Sequence, residues 1–95
     1  MSFDVDVTPQ AFDALPSLSN EAFDRLIELL SNKLGSDPLT CSRRAVHPVV
    51  ARPGNVYFDG FELAGFVYLF AAYFWIERET RIVIWDLQVS AERAP

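Results

Sequence analysis

Arg43, Arg44, His47 and Arg52 fall within one short segment and carry the side chains that phosphate chemistry uses. Guanidinium groups hold phosphate oxygens through paired N–H donors, and an imidazole titrates near neutrality, where it can give or take a proton at a scissile bond. Arg81 and Tyr73, on segments that read as strands, are the groups able to support such a site from a sheet. The same residues have a plain reading as well. The arginines are then a solvated loop, and His47 is a residue whose backbone is restricted by Pro48. His47 is the only histidine, and no well-spaced carboxylate pair completes an acid-base mechanism beside it.

Other chemistries find less support. Glu62, Glu77, Glu79 and Asp86 are scattered, three of them near turn signals, and read as solvated residues in preference to oxygen ligands of a metal. Cys41 is the single cysteine, so one chain can form neither an internal disulfide nor a Cys-based zinc site. There is no glycine-rich phosphate loop and no Ser-His-Asp order, and no cofactor or metal is implied.

The chain has 95 residues, enough for one domain with one sheet and one helical layer. Its net charge of −5 disfavours RNA or the ribosome as partners, because phosphate backbones recruit basic fields. The arginines nevertheless sit in an acid-free stretch, residues 38–56, which makes a local basic patch on an acidic body. The longest apolar run is well short of the ~20 residues of a membrane-spanning helix. The N-terminal MSFDVDVTPQ is acidic where a signal peptide is basic, so no membrane association and a cytoplasmic location are expected.

Hydrophobic periodicity places the elements. Phe3, Val5 and Val7 alternate with aspartates as a strand over residues 2–7. Thr8 and Pro9 open a short helix to about residue 15, and Pro16 with Ser17 breaks it. Phe23, Leu26, Ile27, Leu30 and Leu34 mark an amphipathic helix, capped at its start by Ser19 or Asn20 and stopped by Gly35 as a left-handed residue. Residues 38–53 then form a long excursion, with an extended piece at 46–51. Strands follow at 56–62, 66–76 and 81–89, and residues 89–95 form a frayed tail. In the last strand strict alternation puts Ile82, Ile84, Asp86 and Gln88 on one face and Arg81, Val83, Trp85, Leu87 and Val89 on the other.

The expected architecture is therefore α+β, in the order β-α-α-β-β-β, with a helical hairpin packed on one face of a small antiparallel sheet. The run GFVYLFAAYFWIE, residues 65–77, is apolar on both faces and must be central. One face meets the helices. The other needs a cover, either another chain or the long loop folding back, and Tyr68, Tyr73, Trp75 and Trp85 are its candidate partner-binding residues.

The strand that runs into a helix, the segment Phe12-Asp13-Ala14-Leu15-Pro16, the amphipathic helix ending at Leu34 and the Asp37-Pro38 after it carry a family likeness. In element order and punctuation the chain resembles the RelE/ParE superfamily of type II toxin–antitoxin toxins. The resemblance implies a bacterial toxin fold with one of two activities, ribosome-dependent mRNA cleavage or gyrase poisoning, held in check by a cognate antitoxin. Cleaving members carry basic residues on the central strands. FVYLFAAYFW has none, so the expectation is protein binding, to an antitoxin or to a second copy as a homodimer. The alternatives are an endoribonuclease built on Arg43, Arg44, His47, Arg52 and Arg81, and a degenerate member that only dimerises.

Overall fold

The computed structural model describes residues 3–13, 15 and 18–95. The expected strand start at Ser2 and the expected helix break around Ala14, Pro16 and Ser17 lie outside them. The elements are β1 (Asp4–Val7), α1 (Pro9–Asp13), α2 (Asn20–Ser36), β2 (Arg43–Val46), β3 (Pro53–Leu63), β4 (Phe66–Glu77) and β5 (Arg81–Arg93). They form an α+β fold in which a five-stranded sheet, ordered β1-β5-β4-β3-β2, carries the helices on one face.

Local chemistry sets the helix ends. Thr8 Oγ1 accepts from the Ala11 N–H at 3.3 Å, and Ser19 Oγ, the N-cap of α2, accepts from the Ala22 N–H at 3.2 Å. Glu21 in the first turn of α2 and Lys33 in the last complement the helix dipole. Gly35 does not end the helix, as its type suggested; it lies inside it, and Asp37 is the C-cap. Its carbonyl accepts the Phe3 N–H at 2.7 Å, and a Cβ there would stand 3.4 Å from the Phe3 oxygen. That is an ordinary van der Waals distance, so neither turn geometry nor close approach demands glycine at this position.

The sheet is mixed. β1 runs parallel to β5, with Asp4 opposite Arg81 and Val7 opposite Ile84; the helices carry the chain from β1 to β2 at the far edge, and the meander then returns β5 to the side of β1. The excursion contains a strand, β2, earlier than the expected 46–51 piece, and it pairs antiparallel with β3 from Arg43↔Val56 to Val46↔Pro53. β5 continues well past Val89. The long β4 supplies partners as far as Phe66↔Arg93, and the Ala94 N–H donates to the Gly65 carbonyl at 2.8 Å, so the expected frayed tail is largely strand.

Leu26, Leu30 and Leu34 of α2 pack with Tyr57, Phe70, Ala72, Phe74, Ile82, Ile84 and Leu87. Each leucine is almost fully buried and contributes about 2 kcal/mol through that burial. A β-bulge in β5 shapes this core. Phe74 pairs with Ile84 but Tyr73 pairs with Asp86, so Trp85 is the extra residue and the alternation slips by one. Leu87 and Val89 therefore join Ile82 and Ile84 against the helices. Asp86 and Gln88 turn to the opposite face beside Trp85, which corrects the strict alternation expected from the sequence.

The β3–β4 hairpin turns through Ala64 and Gly65, both at positive φ, 52° and 81°. Glycine meets that demand and alanine does so under strain. Ala64→Gly is expected to raise stability by about 0.5–1 kcal/mol, read as a higher urea midpoint with an unchanged slope. Among the described residues no helix is long and apolar enough to cross a membrane.

Candidate functional site

The sheet face away from the helices collects most of the residues singled out in the sequence. β4 presents Leu69, Ala71, Tyr73 and Trp75 there, β5 presents Val83, Trp85, Asp86 and Gln88, and β3 presents Val56 and Phe58. On β2 the pleat divides the arginine pair. Arg43 lies on this face, its guanidinium 4.7 Å from the Phe58 ring centre, and the next residue, Arg44, points to the other side, exposed. Tyr68 also belongs to the other side, where it is buried and stacks on Phe61 with centroids 4.9 Å apart. The four aromatic candidates thus do not form one surface. Arg81, at the start of β5, donates to Asp6 at 2.6 Å and to Glu77 at 3.2 Å.

His47 organises the face. Its side chain is 5% exposed, and its ring lies 4.5 Å from Tyr73 and 5.2 Å from Trp85, centre to centre. Nδ1 accepts backbone N–H groups from Val49 at 3.1 Å and Val50 at 3.2 Å, so it carries no proton. Nε2 holds the proton and donates to Asp86 Oδ2. Gln88 Nε2 reaches the same carboxylate oxygen at 3.2 Å. The main chain closes the turn, with the His47 N–H donating to Arg52 O and the Ala51 N–H to His47 O, both at 3.0 Å. Both imidazole nitrogens are committed, which leaves His47 no atom for a substrate while the turn holds. The bulge makes this arrangement possible, because only a slipped strand places Trp85 and Asp86 side by side on one face.

The turn over residues 47–52 supplies part of the cover that the sequence demanded. It leaves Tyr73 6% exposed. Arg52 completes the lid, its guanidinium 4.9 Å from the Trp75 ring and 5.0 Å from the Trp85 ring, contacts worth about 0.5–1 kcal/mol at such a site. Beyond the turn the face stays open. Phe58 and Leu69 are 48% and 54% exposed and border a shallow groove of about 290 Å³ that Gln88 and Ser90 also line. The outer surface of the turn is apolar: Val46, Val49 and Val50 are all more than half exposed. Asp86, read from the sequence as a solvated carboxylate, and Gln88 are instead the partners of His47, a pairing hidden because they lie 39 and 41 positions away in sequence. Among the described residues no His, Cys, Asp and Glu side chains are grouped to hold a metal ion.

On the helix side of β3, Tyr57 donates its hydroxyl to Asp59, whose Oδ1 accepts the Gly60 N–H at 2.8 Å. Burial, and then that hydrogen bond to a carboxylate, push the Tyr57 pKa far above its ordinary value. The unfolded chain ionises Tyr57 near pH 10 and the folded chain does not, so this contribution is complete below pH 10 and is lost as pH rises above it. Stability should fall by about 1.4 kcal/mol per pH unit above pH 10 from this group, and denaturant titrations of Tyr57→Phe should lack that component.

Compared with protein-family models, with curated proteins and with solved structures, the chain matches none. Fold and site together define a small α+β domain whose open sheet face is partly closed by its own His-anchored turn.

Proposed function

We propose that the chain acts by binding another protein, as a RelE/ParE-like toxin-family member whose partner is a cognate antitoxin. The observation that carries this reading is the 47–52 turn. It spends a buried histidine, an aspartate and a cation on fixing a segment that then presents Val46, Val49 and Val50 to solvent. A rigid apolar projection loses little entropy on binding and suits a protein partner better than a polyanion. The test is co-purification of the tagged chain with the products of flanking reading frames, in wild type and in Val49→Asp/Val50→Asp. Capture of a small partner by the wild type alone supports the reading. Equal capture by both, or capture of nothing, overturns it.

A second reading, ribosome-dependent mRNA cleavage, draws on Arg43 and Arg52, which share the open face and make no ion pair among the described residues. Against it stand the commitment of His47 and the placement of Arg44 on the opposite face. Induced expression of Arg43→Ala/Arg52→Ala separates the two readings. Toxicity that survives the double substitution removes the nuclease reading, and toxicity lost with an intact fold favours it.

A further inference from the structure

The sheet has open backbone edges on both sides, and they are not equally protected. β1 covers β5 only from Arg81 to Ile84, and β2 covers β3 only from Pro53 to Val56. Beyond those limits no strand among the described residues pairs with the outer edge of either one. Native proteins blunt such edges with charge, proline, bulges or very short strands. β1 is four residues long with two aspartates, and β2 is four residues long with two arginines. On β3, Gly54 and Val56 face β2 in the ladder, so Gly60 faces outward, and its N–H is taken by Asp59.

Leu87 is buried among the core residues, but residues 88–93 of β5, QVSAER, have no such guard. The Ala94 to Gly65 bond fixes the ladder, so Gln88, Ser90 and Glu92 bond toward β4. Leu87, Val89, Ala91 and Arg93 therefore turn their N–H and C=O groups outward, and of these Val89, Ala91 and Arg93 are not buried. Gln88 and residues 90–93 are exposed, and the row contains no proline, no glycine and no charge before Glu92.

We infer that this row pairs with the same row of a second copy, antiparallel about Ser90, so that two sheets join into one. The row reads well against itself. Its accessible outward residues meet as Val89 with Ala91 and, by the two-fold axis, Ala91 with Val89, each pair closing two backbone bonds. On the open face Gln88 stands opposite Glu92 of the second copy, amide donor against carboxylate, and the two-fold axis repeats the contact. The charges of Glu92 and Arg93 cancel within the row, which lets two bodies of net charge −5 approach there. This edge is the one away from β2, and its backbone groups are separate from the Val49 and Val50 surface, so a monomeric chain would leave the proposed function standing.

Light scattering of the full chain through a dilution series should show dimer dissociating to monomer. Ser90→Glu and Ser90→Lys each place like charges across the axis and should weaken dimerisation on the order of tenfold or more. Mixing the two variants should restore it. Ser90 is exposed, so unfolding midpoints near wild type check that both variants fold. A wild type that is monomeric throughout, a dimer indifferent to both substitutions, or variants that fail to recover on mixing would each overturn the inference.

Discussion

His47→Ala lowers the stability of the chain by about 3 kcal/mol, an expectation that follows from how many groups lose a partner at once. The imidazole donates to Asp86, accepts from Val49 and Val50, and fills the space between Tyr73 and Trp85. A hydrogen bond to a charged group contributes roughly 1.5–3 kcal/mol net and a neutral one roughly 0.5–1.5 kcal/mol. Removing the ring also leaves a void under the turn. Two effects limit the loss. The Val49 and Val50 amides can turn to water, and Gln88 still reaches the Asp86 carboxylate. Urea unfolding followed by the fluorescence of Trp75 and Trp85 reads the result directly, because Arg52 leaves both rings when the turn is released. Arg44→Ala, exposed on the other side of β2, should change the unfolding free energy by less than about 0.5 kcal/mol. A loss below about 1 kcal/mol in His47→Ala, with unchanged emission, would mean that the turn holds without its anchor.

That comparison also separates a structural histidine from a catalytic one. A histidine acting on substrate can be replaced with loss of activity and an unmoved unfolding curve. Here both properties should move together, whereas Val49→Asp, on the outer surface of the same turn, should spare the fold and cost only partner binding.

Much of the architecture was legible because it rests on local periodicity. The i, i+3, i+4 spacing from Phe23 to Leu34 reports a helix that needs an apolar support, and the doubly apolar run 66–76 reports the central strand of the sheet. What escaped depends on register between distant segments. The bulge at Trp85 left a trace in RIVIWDLQV, where the apolar phase slips by one between Ile84 and Leu87, but alternation applied strictly passes over it. The pairing of His47 with Asp86 depends on that slip and on where β2 enters the sheet, and neither is encoded near His47. The segment's arginines and histidine suggested a phosphate site by type. Folding divides them between one face, the other face and a buried anchor.

The other large effect belongs to the core. Phe74→Ala should cost about 4 kcal/mol, near the upper range for a buried aromatic, because the ring is fully buried and its neighbours cannot all close the gap. Phe74 sits opposite Ile84, immediately before the register shifts to Tyr73↔Asp86. Its neighbours on β5 are thus held by a bulge and on the helix side by Leu26 and Leu30. Such a constrained wall relaxes little, and the cavity term stays large. For a domain of this size the loss corresponds to roughly 16–32 °C in Tm, enough to consume much of a typical folding free energy of roughly 5–15 kcal/mol. Phe74→Leu, which keeps most of the volume, should cost less than about 1.5 kcal/mol. Phe58→Ala, on the open face and about half exposed, should cost about 1 kcal/mol or less. Calorimetry of the three variants would place the core on the helix side of β4. Equal losses at Phe74 and Phe58 would instead mean that both faces of the sheet are closed in solution, the groove beside Leu69 included.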